Sequence, residues 1–93
     1  MSKFFVPYSG ENPAAVDIKG HRLLIISPSP DTLVKDLQVL GGNTVREFDV
    51  FDGDVEPFAN LAASVQGGVV VTPPGVSLPA LIFSLEQELP WLH

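Results

Sequence analysis

The densest group of side chains that could bind a metal or take part in catalysis is a run of carboxylates near the middle of the sequence. The run consists of Glu47, Asp49, Asp52, Asp54 and Glu56. Carboxylates at the end of a strand commonly hold Mg²⁺ or Ca²⁺, because hard cations prefer oxygen ligands. Asp49, Asp52 and Asp54 are therefore candidate ligands of a divalent metal. The alternative is a turn flanked by solvated charges that keep an edge strand from pairing.

The spacing of these acids fits neither of two familiar acidic motifs. If Gly53 is aligned with the invariant glycine of an EF-hand loop, Phe48 and Val50 fall at ligand positions. The Asp-x-Asp-Gly signature of aspartyl phosphatases also fails, because Val50 stands where its first aspartate belongs. A small hydrolase that uses the acidic residues stays open as a less favoured alternative.

Hydroxyl side chains follow two apolar runs elsewhere in the chain. Ser27 follows one of these runs, and Thr72 follows another. Ligands of open α/β sheets bind outside the carboxyl ends of the strands, so Ser27 and Thr72 would share a crevice with Asp52 and Asp54. The alternative is that these residues only form turns and helix caps, where Ser, Thr and Asp are favoured for local hydrogen bonding.

The sequence contains few residues or motifs that are suited to phosphate binding or nucleophilic catalysis. A phosphate at the loop of residues 27–31 would need backbone amide donors, and Pro28 and Pro30 lack them. No Lys or Arg lies in that loop. The chain has no cysteine and no Gly-x-Ser-x-Gly motif. Its two histidines are His21, beside a turn, and the final residue His93. An enzyme is therefore less favoured than a binding or interaction protein.

Apolar periodicity predicts three strand–helix units that would position these side chains. The strands are predicted at residues 22–27, 44–51 and 69–72. The helices are predicted from the Ser29-Pro30 cap to about residue 40, at 55–66, and from a Ser77 cap to Pro90. Glycine pairs follow the first two helices, as is typical of helix ends.

This alternation predicts a small single α/β domain that covers residues 1–93. An N-terminal antiparallel edge strand or hairpin is expected first, because Pro7 cannot donate a hydrogen bond within a central strand. A βαβαβα unit with a mainly parallel sheet follows. The strand at 22–27 holds four successive apolar residues, so it is placed centrally, and the core order is 2-1-3.

Charge and hydropathy exclude several classes of partner. The chain carries 5 basic and 11 acidic residues, for a formal net charge of −6, and its cations are scattered. Nucleic-acid binding needs a basic stripe, and an anionic membrane surface would repel this chain. No run approaches the length of a membrane span, and the N-terminus lacks the apolar core of a signal peptide. We therefore expect a cytoplasmic protein with neither nucleic acid nor membrane as partner.

The apolar excess provides the leading hypothesis about function. Phe83, Trp91 and Leu92 lie on or after the last predicted helix, and Tyr8 lies near the predicted edge strand. Exposed aromatic residues mark protein interfaces, although a small domain also uses such residues in its core. Glu47 would contribute to an acidic rim. The sequence favours a non-catalytic interaction or regulatory module without a cofactor, either a homodimer or a binder of another protein.

Overall fold

The computed structural model describes residues 2–72 and 75–88, and within them six strands and three helices. The strands are β1 (Ser2–Ser9), β2 (Asn12–Pro13), β3 (Val16–Ile18), β4 (His21–Ile26), β5 (Thr44–Val50) and β6 (Gly68–Val71). The helices are α1 (Pro30–Lys35), α2 (Glu56–Val65) and α3 (Leu78–Glu88).

The strands form two three-stranded sheets, in the orders β2-β1-β5 and β3-β4-β6. All pairs are antiparallel except β4 with β6. The sheets meet where the amide of Phe5 donates to the carbonyl of Ser27 at 2.7 Å, and the carbonyl of Phe5 accepts a hydrogen bond from the amide of Ser27 at 3.0 Å. Strand β1 therefore lies between β5 and the end of β4.

The predicted mainly parallel βαβαβα fold with core order 2-1-3 is wrong. Strand β5 pairs antiparallel with β1 and has no pairing with β4. The N-terminal strand β1 lies between β4 and β5, which were expected to pair in parallel. The resulting sheets are antiparallel and mixed, and β4 with β6 is the one parallel pair in the described part of the chain.

The edge position predicted for the N-terminal strand is also wrong, because β1 lies at the centre of its sheet. The backbone contacts around Pro7 explain why this central strand tolerates a proline. In an antiparallel strand, alternate residues direct both backbone groups to the same neighbour. Phe5 directs its groups to Ser27, and the carbonyl of Pro7 accepts a hydrogen bond from Ala14 at 2.9 Å on the same side. The ring nitrogen of Pro7 therefore faces a gap between two neighbours. A central strand tolerates proline there because no donor is required.

Helix α2 covers one face of the sheets, and α1 and α3 cover the other. The first core contains Val6, Leu24, Ile26 and Val65, and the second contains Ile25, Leu33, Leu40, Leu78 and Leu81. The connections through α1 and α2 cross the strands in opposite directions, from β4 to β5 and then back to β6. Right-handed crossovers in opposite directions place their helices on opposite faces, which accounts for the two layers.

The helix ends follow from local hydrogen bonds. Helix α1 ends at Lys35, earlier than predicted, and a series of tight turns follows, in which Val39 donates to Asp36 and Leu40 to Leu37. Leu37 and Leu40 fit helical periodicity, but Leu40 joins the core from these turns without a helix. The Oγ of Ser77 accepts a hydrogen bond from the amide of Ala80 at 3.3 Å, which confirms the predicted cap of α3.

Gly67 is required by a close backbone approach at the start of β6. A Cβ atom at this position would overlap the carbonyl oxygen of Arg22, which belongs to the neighbouring strand β4. The preceding Gln66 ends α2 in the left-handed conformation, with φ of 56°. The chain therefore enters β6 through a position that only glycine fits.

Candidate functional site

The outer edge of β6 presents backbone groups without a partner among the described residues. The amide of Thr72 donates to the carbonyl of Ile26 at 2.9 Å, so Thr72 and its alternate neighbours direct their backbone groups to β4. Val69 and Val71 must then direct theirs outward. The strand Gly68–Val71 has no charged residue, and the side chain of Val71 is 44% exposed. This edge is short, apolar and uncharged.

The outer edge of β5 differs in its side chains. Phe5 directs its backbone groups to Ser27, so its neighbours Phe4 and Val6 direct theirs to β5, where they face Phe48 and Arg46. The alternate residues Glu47 and Asp49 therefore direct their backbone groups outward, and both have exposed side chains. Such charges on an edge strand hinder pairing with another strand.

The acidic turn after β5 has a local structural role. The amide of Asp54 donates to the carbonyl of Phe51 at 3.0 Å, and Gly53 has φ of 81°, as a tight turn demands. The Oδ1 of Asp54 accepts a hydrogen bond from the amide of Glu56 at 3.0 Å, at the start of α2. Within residues 2–72 and 75–88, no three acidic or histidine side chains gather as a metal-ligand set. Metal binding by Asp49, Asp52 and Asp54 stays a prediction.

The predicted crevice is divided by the insertion of β1. Ser27 and Thr72 lie side by side at the ends of β4 and β6, and both are buried. The Oγ of Ser27 accepts a hydrogen bond from the amide of Ser29 at 3.1 Å, which is a turn contact. Phe5 of β1 lies between Ser27 and Glu47, because it is paired with Ser27 on one side and with Glu47 of β5 on the other.

The acidic turn begins farther along the sheet than these hydroxyl groups. Val50, the last residue of β5, lies three residues beyond Glu47, which is about 10 Å along the strand. The two intervening strand spacings add about 10 Å across the sheet. The structure therefore does not bring Asp52 and Asp54 together with Ser27 and Thr72.

The three predicted interface residues that the structure describes, Phe83, Tyr8 and Glu47, are dispersed. Phe83 is 64% exposed on α3, on the side opposite the buried Leu78 and Leu81. Tyr8 is half-buried in β1, and the guanidinium Cζ of Arg46 lies 4.4 Å from the centroid of its ring. The Oε1 of Glu47 lies 4.0 Å from the Nζ of Lys3. This ion pair is exposed to solvent and therefore contributes little to stability. Trp91 and Leu92 lie outside the described residues.

A cavity that the sequence did not predict lies between α2 and the β1–β5 pair. Its volume is about 310 Å³, and its lining consists of Val6, Tyr8, Arg46, Glu47, Phe48, Pro57, Asn60 and Leu61. The alternation of Arg46 and Phe48 in β5 indicated a shared face. Nothing in the local sequence indicated that Tyr8 and Asn60 would meet that face, because these contacts depend on the position of β1.

The fold and these surfaces define a small α/β domain with mixed sheets, and comparison with known proteins adds no family to that class. The chain fits no protein-family model, and no curated protein or solved structure matches it significantly. No helix among the described residues is long and apolar enough to cross a membrane.

Proposed function

We propose that the protein is an interaction module that self-associates by pairing the β6 edges of two copies. The observation that supports this proposal is the uncharged outer edge of β6, where Val69 and Val71 direct their backbone groups outward. An unpaired sheet edge is a template for a further strand, and strand addition is a common mode of recognition.

A second copy is the occupant that this edge fits best. A twofold axis at Val70 would place Val69 of one copy opposite Val71 of the other, in antiparallel pairing. The backbone groups of these two valines would then form four hydrogen bonds across the axis, because each residue exchanges both of its groups. Isologous contacts of this kind are typical of homodimers.

The size of the edge limits the strength of the association. A strand of four residues buries less than the roughly 1,200 Å² that a stable specific interface needs. The chain also carries a net charge of −6, so two copies repel each other at low ionic strength. We therefore expect a reversible dimer with a Kd of about micromolar or weaker, strengthened by added salt.

Sedimentation equilibrium between about 10 μM and about 1 mM tests this proposal. The unmodified chain should shift from monomer to dimer as its concentration rises. Val71→Lys should weaken the dimer at least about tenfold, because it places two like charges at the paired edges. Val71 is exposed, so the substitution should change the free energy of unfolding by only about 0.5 kcal/mol.

Val55→Lys is the matched control for this experiment. Val55 is 73% exposed at the start of α2, and its substitution changes the net charge by the same amount. It should leave the dimer unchanged. A monomer at every concentration would refute the proposal, as would equal weakening by both lysine variants.

A further inference from the structure

The cavity beneath α2 combines an apolar interior with one cationic side chain. Val6 and Phe48 belong to the strands beneath it, and Pro57 and Leu61 come from α2. A volume of about 310 Å³ lies at the lower end of the range for small-molecule sites. The cavity is therefore suited to a small ligand with an apolar body.

Arg46 is the charged side chain that faces this cavity. It shares a strand face with Phe48, whereas Glu47 belongs to the opposite face and lies against Lys3 at 4.0 Å. Glu47 also lines the cavity, but strand alternation directs its carboxylate to the opposite face of the sheet. This arrangement places a positive charge beside an apolar pocket in a chain whose net charge is −6.

The guanidinium group of Arg46 is held in position by two contacts. Its Cζ lies 4.4 Å from the centroid of the Tyr8 ring, and Nη2 donates to the carbonyl of Gly10 at 3.3 Å. A guanidinium has five N–H donors in a planar fork. The Gly10 contact uses one of them, and no carboxylate of the described residues forms an ion pair with Arg46.

We infer that this cavity binds a small organic carboxylate with an apolar or aromatic body. The carboxylate would accept a pair of hydrogen bonds from Arg46, which is the geometry that a guanidinium favours. The body would lie against Phe48 and Leu61, and the amide side chain of Asn60 provides a further polar contact at the rim. The inference is independent of the proposed β6 dimer, since none of these residues belongs to β6.

The test uses 3-phenylpropanoate as the probe and 3-phenylpropanol as its uncharged analogue. Each is titrated into the full chain while amide and methyl NMR signals are followed. The carboxylate should shift the signals of Tyr8, Phe48 and Leu61 in a saturable way. The alcohol should bind at least about tenfold more weakly, because it lacks the charge that Arg46 recognises.

Arg46→Gln and Arg22→Gln form a matched pair of variants for this test. Both residues are exposed, and both substitutions remove one positive charge, but Arg22 lies on β4 away from this cavity. Arg46→Gln should weaken binding of the carboxylate at least about tenfold, and Arg22→Gln should leave it unchanged. If Arg46→Gln fails to fold, Arg46→Lys keeps the charge and should still weaken binding several-fold, because it loses the paired geometry.

Several outcomes would overturn the inference. These are the lack of saturable shifts up to about 10 mM probe, equal affinity for the alcohol, and equal weakening by both glutamine variants. Unchanged binding by Arg46→Gln would also overturn it, because an apolar pocket alone would then explain the shifts.

Discussion

The two open edges of the molecule, β5 and β6, differ in their side chains. Outward backbone groups belong to Val45, Glu47 and Asp49 on β5, and to Val69 and Val71 on β6. Both edges have free donors and acceptors within the described residues. On β5 a second strand would meet carboxylates, whereas on β6 it would meet only aliphatic side chains.

This difference shows that backbone geometry alone does not define an interaction edge. Strand β5 is longer than β6 and has more backbone groups for a partner strand. Its charges hinder such pairing, because like charges of two copies would lie close together. The acids of β5 therefore fit the protective role considered for them from the sequence, and the shorter β6 is the better candidate for association.

The largest effect is expected from Gly67→Ala, because this substitution would displace β6 from its place beside β4. The added Cβ would overlap the backbone carbonyl of Arg22, which cannot move without disturbing β4. We expect a loss of about 3 kcal/mol or more in the free energy of unfolding. For a domain of this size, thermal melting should show a Tm about 12–24 °C lower.

Gly68→Ala is the control for this substitution. Its Cβ would meet Cδ2 of Leu23 at 3.2 Å, and the end of a flexible side chain can move. This variant should change the free energy of unfolding by about 1 kcal/mol or less. Equal destabilisation by the two variants would contradict the assignment of the loss to the contact with Arg22.

Local patterns in the sequence predicted most elements but not their neighbours. The strand predicted at 44–51 is β5, and the helix predicted at 55–66 is α2, because alternation and helical periodicity are properties of a few successive residues. The partner of β5 is a choice between distant segments. Its pairing with β1 joins residues about forty positions apart, and no local pattern specifies that pairing.

The candidate site was predictable to the same limited extent. Ser27 and Thr72 meet as expected, because both follow strands of a true parallel pair. The acidic turn does not join them, because the insertion of β1 displaced β5. The cavity beside Arg46 was not predictable, since the contact with Tyr8 depends on that same insertion.

An intermediate effect is expected when the charges of β5 are removed. The double variant Glu47→Thr/Asp49→Thr keeps residues that favour strands and gives β5 an uncharged outer edge. This variant should self-associate at least about tenfold more strongly than the unmodified chain in sedimentation equilibrium. Glu47→Lys/Asp49→Lys keeps charges on the edge and should show no such gain. Equal association of both variants would mean that the acids of β5 do not protect the edge through their charge.

The smallest effect is expected in the exchange of individual amide protons with water. In the proposed dimer, the amides of Val69 and Val71 donate across the interface, so their exchange should slow as protein concentration rises. Mass action predicts about twofold slowing when the total concentration equals Kd, and about fivefold slowing at ten times Kd. The amides of Glu47 and Asp49 provide the internal comparison, because they face outward on the charged edge and should exchange at a constant rate. Slowing at β5 with none at β6 would reverse the roles assigned to the two edges, since association would then use the charged strand.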